Sequence, residues 1–421
     1  MKAKKLGKTG QYSQKQIEAN KLKQLQIACG KMAGKSAFTM FTPLCKARMV
    51  GNRLPAVKLK LSADSNMEPS EFRMYNEIFV TQLNTLTVDT LTGDTMTLGQ
   101  YLREGMTLIC YSEIVEELGS PNAEKVLAAF KGYRRATFTS PIVDVLELLR
   151  RLTTVLSDLS AHLFEYQINT LFAFSGDSGN NHVTVGLNKP KAKQIKIDGI
   201  KREVVPVQWP DYRGTTTPLH LSPEKLGLDS SKNSSGKLPV YIQHHALKRL
   251  NERIGIVAGL LHQALNDNFK EDKSLRFLPQ GSSSLVEFDI FDQKLGYLVC
   301  VVHEEMIVIR TFLFITNDGT PEGKKLSELT RVQLLDKQYL GIDTLAGFMR
   351  FKIAEDPTLK ELFKEAGCES LLDLSALENF LLADLTVKDP AILLNYLRGI
   401  TDTGNVQSNL ADLLPRPEIH D

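Results

Sequence analysis

A chain of 421 residues with 42% hydrophobic and 24% charged content has room for two or three domains with cores of their own and an ordinary globular composition. No run approaches the ~20 apolar residues of a membrane span, and the basic N-terminus lacks the apolar stretch and small residues of a secretory signal. Five scattered cysteines (Cys29, Cys45, Cys110, Cys300, Cys368) without a CxxC pair argue against a disulfide framework or structural zinc and for a reducing cytoplasm; no metal or cofactor is expected.

The net charge of +2 hides an asymmetry. Residues 1–60 hold 14 Lys or Arg and one acidic residue, Glu18, a balance of +13 that leaves −11 for residues 61–421. A basic arm on an acidic body points to a polyanion partner, nucleic acid with RNA ahead of DNA, and Lys31, Lys35, Lys46, Arg48 and Arg53 are its candidate contacts. The alternative is a solvated tail docked on its own acidic body. Residues 1–20 are polar and rich in Lys, Gln and Gly, which predicts disorder; residues 21–60 mix basic and apolar residues and are expected to order on a partner. Gly30–Ser36 comes one residue short of the phosphate-binding pattern GxxxxGK[ST], because position 29 is Cys29. Lys21–Ala28 also reads as helix where that motif needs a strand, so the segment is read as a basic turn.

Residues 61–175 read as mainly helical with one small strand pair. Thr85, Thr87, Thr90 and Thr92 alternate with apolar residues over 83–97, a pair of strands turning at Gly93-Asp94. Helices are expected near 97–103, 111–118 and 122–132. Ser140 followed by Pro141 marks a helix start, and Ile142, Leu146, Leu149, Leu152, Leu156, Leu159 and Leu163 extend the 3–4 spacing toward Phe174. Residues 176–238 read as short strands (His182–Val185, Gln194–Ile197, Val204–Gln208) and then a linker over 210–238 rich in Pro, Gly, Ser and Thr.

Residues 239–316 form the segment most suited to chemistry. A strand over Val240–Gln243 leads into a helix over His244–Arg253, a second helix spans about Ile256–Asn268, and four strands follow: Leu275–Leu278, Leu285–Phe291, Tyr297–His303 and Met306–Ile315. Their short turns demand antiparallel pairing. The fold class is therefore α+β: an antiparallel β-meander with two packed helices, flanked by mainly helical regions. On the first helix His245, Arg249, Glu252 and Arg253 share one face about 100° wide, with Leu247, Leu250 and Ile254 opposite. Arg310 stands alone among apolar strand residues and needs a partner; His303 and Tyr297 are further candidates. The competing reading is a structural ion-pair face.

The helix His245-Ala246…Arg249…Glu252-Arg253, followed by a second helix and a meander, resembles the RelE/BrnT-like toxin superfamily of bacteria and phages over about 75 residues. The resemblance implies RNA cleavage without a metal, with His245 and Glu252 moving protons and Arg249, Arg253 and Arg310 holding phosphate. The departures are the long chain around the module and its 8 basic against 9 acidic residues over 241–316. The rival class is a non-catalytic structural or interaction protein, virion-associated or accessory to a mobile element, that binds nucleic acid through its basic arm. Residues 317–421, with 11 basic and 18 acidic residues, read as an acidic helical region and the place for a protein partner. Asp343, Asp356 and Ser375 are expected helix caps.

Overall fold

The computed structural model describes residues 13–133, 140–170, 181–228, 236–270, 273–383 and 385–402. They form an α+β protein of two compact units, one from Met1–Thr153, Phe164–Asn188 and Pro210–Thr215, the other from Thr154–Leu163, Lys189–Trp209 and Thr216–Asp421. Each unit draws on three separate stretches of the chain.

In the first unit, helix α1 (Gln14–Ala33) opens on a capping box. Ser13 Oγ accepts the Gln16 N–H at 3.3 Å, and Gln16 Oε1 accepts the Ser13 N–H at 2.8 Å, which satisfies donors that a helix start leaves open. The helix ends at Gly34, whose φ of +88° is a glycine conformation. Gly30–Ser36 is thus a helix end and turn. Leu25, Ala28, Cys29 and Met32 form the buried face of α1, and helix α2 (Pro43–Gly51), capped by Thr42, buries Cys45, Met49 and Val50. The expectation of a partly disordered arm is therefore corrected for residues 13–60. The apolar stripe at 25, 28, 29 and 32 makes α1 a core helix, and a tally of charge passes over that stripe. Residues 1–12 lie outside the described residues.

Strand β1 (Lys58–Leu61) and helix α3 (Pro69–Thr85) precede the expected hairpin, β2 (Thr87–Asp89) with β3 (Thr95–Thr97). Its turn supports α1: Thr90 Oγ1 donates to the Lys31 carbonyl at 2.7 Å, and the Tyr133 hydroxyl donates to that of Met32 at 3.1 Å. These are carbonyls that a helix end leaves without intrahelical partners. Helix α4 (Leu98–Gln100), a π turn over Tyr101–Gly105 and α5 (Met106–Glu113) run on without a break, and α6 (Ala123–Ala129) follows. Helix α7 (Ser140–Leu156) starts at the expected serine but does not continue toward Phe174. Asp158 Oδ1 accepts the Ser160 N–H at 2.8 Å, a local turn that ends helices, and strand β4 (Leu163–Thr170) begins soon after. Leu159 and Leu163 are buried in a turn and a strand, so a helical spacing of leucines outlasts the helix. Strand β5 (His182–Asn188) completes a sheet of order β1-β5-β4, with β1 parallel to β5.

The second unit is built on an eight-stranded sheet. Its first hairpin is β6 (Lys193–Ile197) and β7 (Ile200–Pro206), joined by Asp198-Gly199 with φ of +51° and +81°. Positive φ at both turn residues matches the right-handed twist of a tight hairpin. The expected linker instead holds short strands, β8 (Gln208–Pro210), β9 (Thr216–Pro218) and β10 (His220–Leu221). The expected succession then appears: β11 (Leu238–Gln243), α8 (His244–Ile254), α9 (Ala258–Asn268), β12 (Phe277–Gln280), β13 (Ser283–Ile290), β14 (Gln293–His303) and β15 (Met306–Phe314). The meander β12-β13-β14-β15 is antiparallel throughout. It does not stand alone, because β15 pairs in parallel with β11, and β11 pairs with β7, so that β6 forms the far edge. Helices α10 (Pro321–Thr330), α11 (Leu334–Leu340), α12 (Leu345–Arg350), α13 (Pro357–Glu365), α14 (Ser375–Glu378) and α15 (Pro390–Asp402) follow. Asp356 caps α13 as expected, whereas Thr344 caps α12 in place of Asp343, and α14 starts after Leu374 with Ser375 as its first residue.

One core covers one face of this sheet. Val240, Ile242, Ile307, Ile309, Phe312 and Phe314 meet Ala246, Leu247, Leu250 and Ile254 of α8, Leu261 and Leu265 of α9, and the apolar sides of the C-terminal helices. Ile197, Val204, Tyr241, Val301 and Val308 form a smaller cluster on the opposite face. No helix among the described residues is long and apolar enough to cross a membrane.

Candidate functional site

Helix α8 is amphipathic as its sequence requires. Gln243 is the N-cap, Gly255 ends the helix in the left-handed conformation, and Ala246, Leu247, Leu250 and Ile254 are buried. His244, His245, Lys248, Arg249 and Glu252 are exposed. Arg249 lies 3.2 Å and Lys248 3.8 Å from Glu252, so this carboxylate is shared between two cations one helical turn away. With Arg249 44% and Glu252 42% exposed, such a pair is worth at most about 1 kcal/mol.

Arg253 turns away from this group. Its guanidinium binds the carboxylate of Asp343, in the turn before α12. Asp343 is buried and Arg253 half-buried, and desolvation lowers the pKa of Arg253, with the like charge of Arg249 adding to the effect.

Arg310 is on the other side of the sheet. Strand β15 carries a bulge opposite Val299 and Cys300, which face Thr311 and Ile309, so that Arg310 is the extra residue. A bulge shifts the alternation of side chains by one. This is why Ile307 and Ile309 before it, and Phe312 and Phe314 after it, all reach the α8 core, while Arg310 joins the side of Val308. There it binds Asp198 of the β6–β7 turn at 2.7 Å. The single site that the resemblance implies for His245, Glu252, Arg249, Arg253 and Arg310 is thus corrected: His245, Arg249 and Glu252 share a solvent-facing helix side, Arg253 is tied to Asp343, and Arg310 is separated by the sheet.

The two further candidates also lie elsewhere. His303 Nε2 is 3.8 Å from Glu304 at the end of β14. The Tyr297 hydroxyl receives a hydrogen bond from Lys294 at 2.7 Å and donates to Glu322 Oε1 at 2.9 Å. Lys294 also bridges Glu287 and Glu322, each at 2.7 Å. Although burial opposes its charge, these carboxylates hold the ammonium strongly protonated. The cluster ties the meander to the first turn of α10.

Of the five cations proposed to contact nucleic acid, two are engaged in the first unit's own structure. Arg53 binds the buried Glu104 at 2.9 Å, and Lys31 Nζ donates to the Thr95 carbonyl at 2.9 Å. Lys46 sits 5.1 Å over the ring of Phe38, while Lys35 and Arg48 are exposed. Lys46 also lines a groove of about 690 Å³ between α1 and α2 with Lys15, Lys21, Leu22, Val50 and Glu18. Lys15 and Lys21 escape an inspection of single residues. Their signal is their position on either side of Glu18 and Leu22, about 120° apart on α1.

Sequence reading finds the strands of the β6–β7 hairpin but passes over its cations. Lys189, Lys191, Lys193, Lys196, Lys201 and Arg202 are all exposed, but averaging charge over 61–421 conceals them inside an acidic total. Among the described residues, no group of three or more His, Cys, Asp or Glu is arranged to hold a metal ion. No family model, no curated protein and no solved structure matches this chain.

Proposed function

We propose that this is an RNA-binding protein of bacterial or phage type, working in the reducing cytoplasm, whose contact surface is the cationic groove between α1 and α2. The outward face of α8 then serves as scaffold. The observation that carries this reading is the groove itself: Lys15, Lys21 and Lys46 line it with a single carboxylate, Glu18, whose Oε1 accepts a hydrogen bond from Gln14 at 2.9 Å. Point charges read phosphate rather than base edges, so little sequence preference is expected. Deleting residues 1–60 would be an uninformative test, since it removes Leu25, Cys29 and Met32 from the core. Charge variants are informative. In the full chain, Lys15→Gln, Lys21→Gln and Lys46→Gln together should weaken binding of a labelled single-stranded RNA by about 10–100-fold at low salt. They should also reduce the slope of log affinity against log salt by roughly 2, at about 0.7 per lost contact. Equal affinity and slope in the wild type and the triple variant would rule the groove out.

A second reading, metal-independent RNA cleavage, is favoured by one observation: an imidazole, a guanidinium and a carboxylate (His245, Arg249, Glu252) are exposed together on one helix face. It requires cleavage that persists in EDTA and falls ~10²–10⁴-fold in His245→Ala, the scale of a proton-transfer group. RNA left intact by the wild type, or cleaved equally by His245→Ala, leaves the binding reading alone.

A further inference from the structure

We infer that the β6–β7 hairpin of the second unit is a separate RNA-phosphate contact, independent of the α1–α2 groove. The hairpin and its approach, residues 189–203, hold six cations (Lys189, Lys191, Lys193, Lys196, Lys201, Arg202) and two carboxylates, Asp198 and Glu203. Asp198 is already bound by a seventh cation, Arg310, at 2.7 Å.

The register adds a second observation. Lys196 stands directly opposite Lys201 in the antiparallel pair, one step from the Asp198-Gly199 turn. Like charges at facing positions repel and destabilise a sheet. Among the described residues no ion pair relieves either lysine. An anion held between them would. On the other side of the ribbon, Lys193 lies 4.7 Å over the Tyr241 ring. Arg202, facing Ile195, alternates onto the same side, as does Arg310 beside Val308. Cations therefore project from both faces of the hairpin.

Protection of an edge strand is the plainer account of such lysines, since charges on an edge hinder sheet-to-sheet pairing. It accounts for Lys193 and Lys196 on β6. It does not account for Lys201 and Arg202, because β7 is an interior strand, paired with β6 on one side and β11 on the other. Nor does it account for Lys189 and Lys191, which precede the strand. Six exposed cations against two carboxylates, one of them already paired with Arg310, leave a cationic excess that matches the phosphodiester backbone, whose binding is driven by counterion release. The choice of RNA as the polyanion rests on the reading above; the existence of the site does not.

The test uses the full chain with Lys191→Gln, Lys196→Gln and Lys201→Gln combined, beside the wild type and the groove variant. Fluorescence anisotropy with a mixed-sequence single-stranded RNA across a salt series should show weaker binding and a salt slope lower by roughly 2. The unfolding midpoint should stay unchanged or rise, because the Lys196–Lys201 repulsion is relieved. An unchanged affinity and slope, with the groove variant impaired, overturns the hairpin site and leaves the RNA reading standing. A wild type that binds no RNA overturns both. Loss of binding to phosphatidylserine vesicles with RNA binding intact would assign the hairpin to a membrane surface and overturn the inference as well.

Discussion

The outward face of α8 and the seam between the second unit's sheet and its C-terminal helices use the same chemical groups in opposite surroundings. On the outward face, Glu252 is shared by Lys248 and Arg249, and all three are exposed. In the seam, Arg253 meets a buried Asp343 only one turn away on the same helix. Further along the seam, Lys337, itself buried, donates to Asp318, to the Gly323 carbonyl at 2.8 Å and to Ser327 at 2.8 Å. Water screens the first set and leaves its groups ready for solution partners. Desolvation makes the second set obligatory, since an unpaired buried charge costs far more than an exposed one. Spacing along a helix does not separate Arg249 from Arg253; what faces each of them does.

The largest expected effect sharpens this contrast. Asp343→Ala leaves the half-buried Arg253 without its carboxylate and should cost about 3 kcal/mol, the scale for removing one partner of a buried pair. Glu252→Ala on the exposed side should cost less than about 1 kcal/mol. Urea denaturation of the two variants against the wild type measures both. Similar losses would mean that the outward face is structural too, and the distinction would break.

The same contrast explains what the sequence could reveal. The succession from β11 to β15 was readable because each signal there is local: alternation in strands such as Val286, Phe288 and Ile290, two-residue turns, and the apolar side of α8. The sharing of one helix side by His245, Arg249 and Glu252 was readable for the same reason. The partner of Arg310 was not. A one-residue bulge in β15 puts Ile309 and Phe312 on the same side, which plain alternation does not foresee, and Asp198 is distant along the chain. The role of Asp343 was likewise hidden, since a carboxylate just before a helix resembles a cap until Arg253 is brought to it. The first 60 residues misled for a different reason: 14 cations dominate any tally, while four apolar residues at helical spacing decide the packing.

A smaller effect, visible only in acid, tests whether burial governs ionisation in the second unit's core as it does in the seam. His262 of α9 is buried, and its Nδ1 accepts the Leu159 N–H at 3.1 Å. That bond assigns the proton to Nε2, the neutral tautomer. Asp158 lies 3.7 Å away and favours the charged form, but burial outweighs it and pushes the imidazole down to about 4. The unfolded chain, with an ordinary value near 6.5, then binds the proton first. Stability contributed by neutral His262 is present above about pH 6.5, falls as pH drops from there to about 4, and levels off below; near pH 5 the loss is roughly 2 kcal/mol. His262→Gln keeps an acceptor for Leu159 and cannot titrate. Urea midpoints for both proteins, measured near pH 8 and near pH 5, should show a steeper acid loss in the wild type than in the variant. Parallel losses would mean that His262 is hydrated or charged in the folded protein, and that burial alone does not decide protonation in this core.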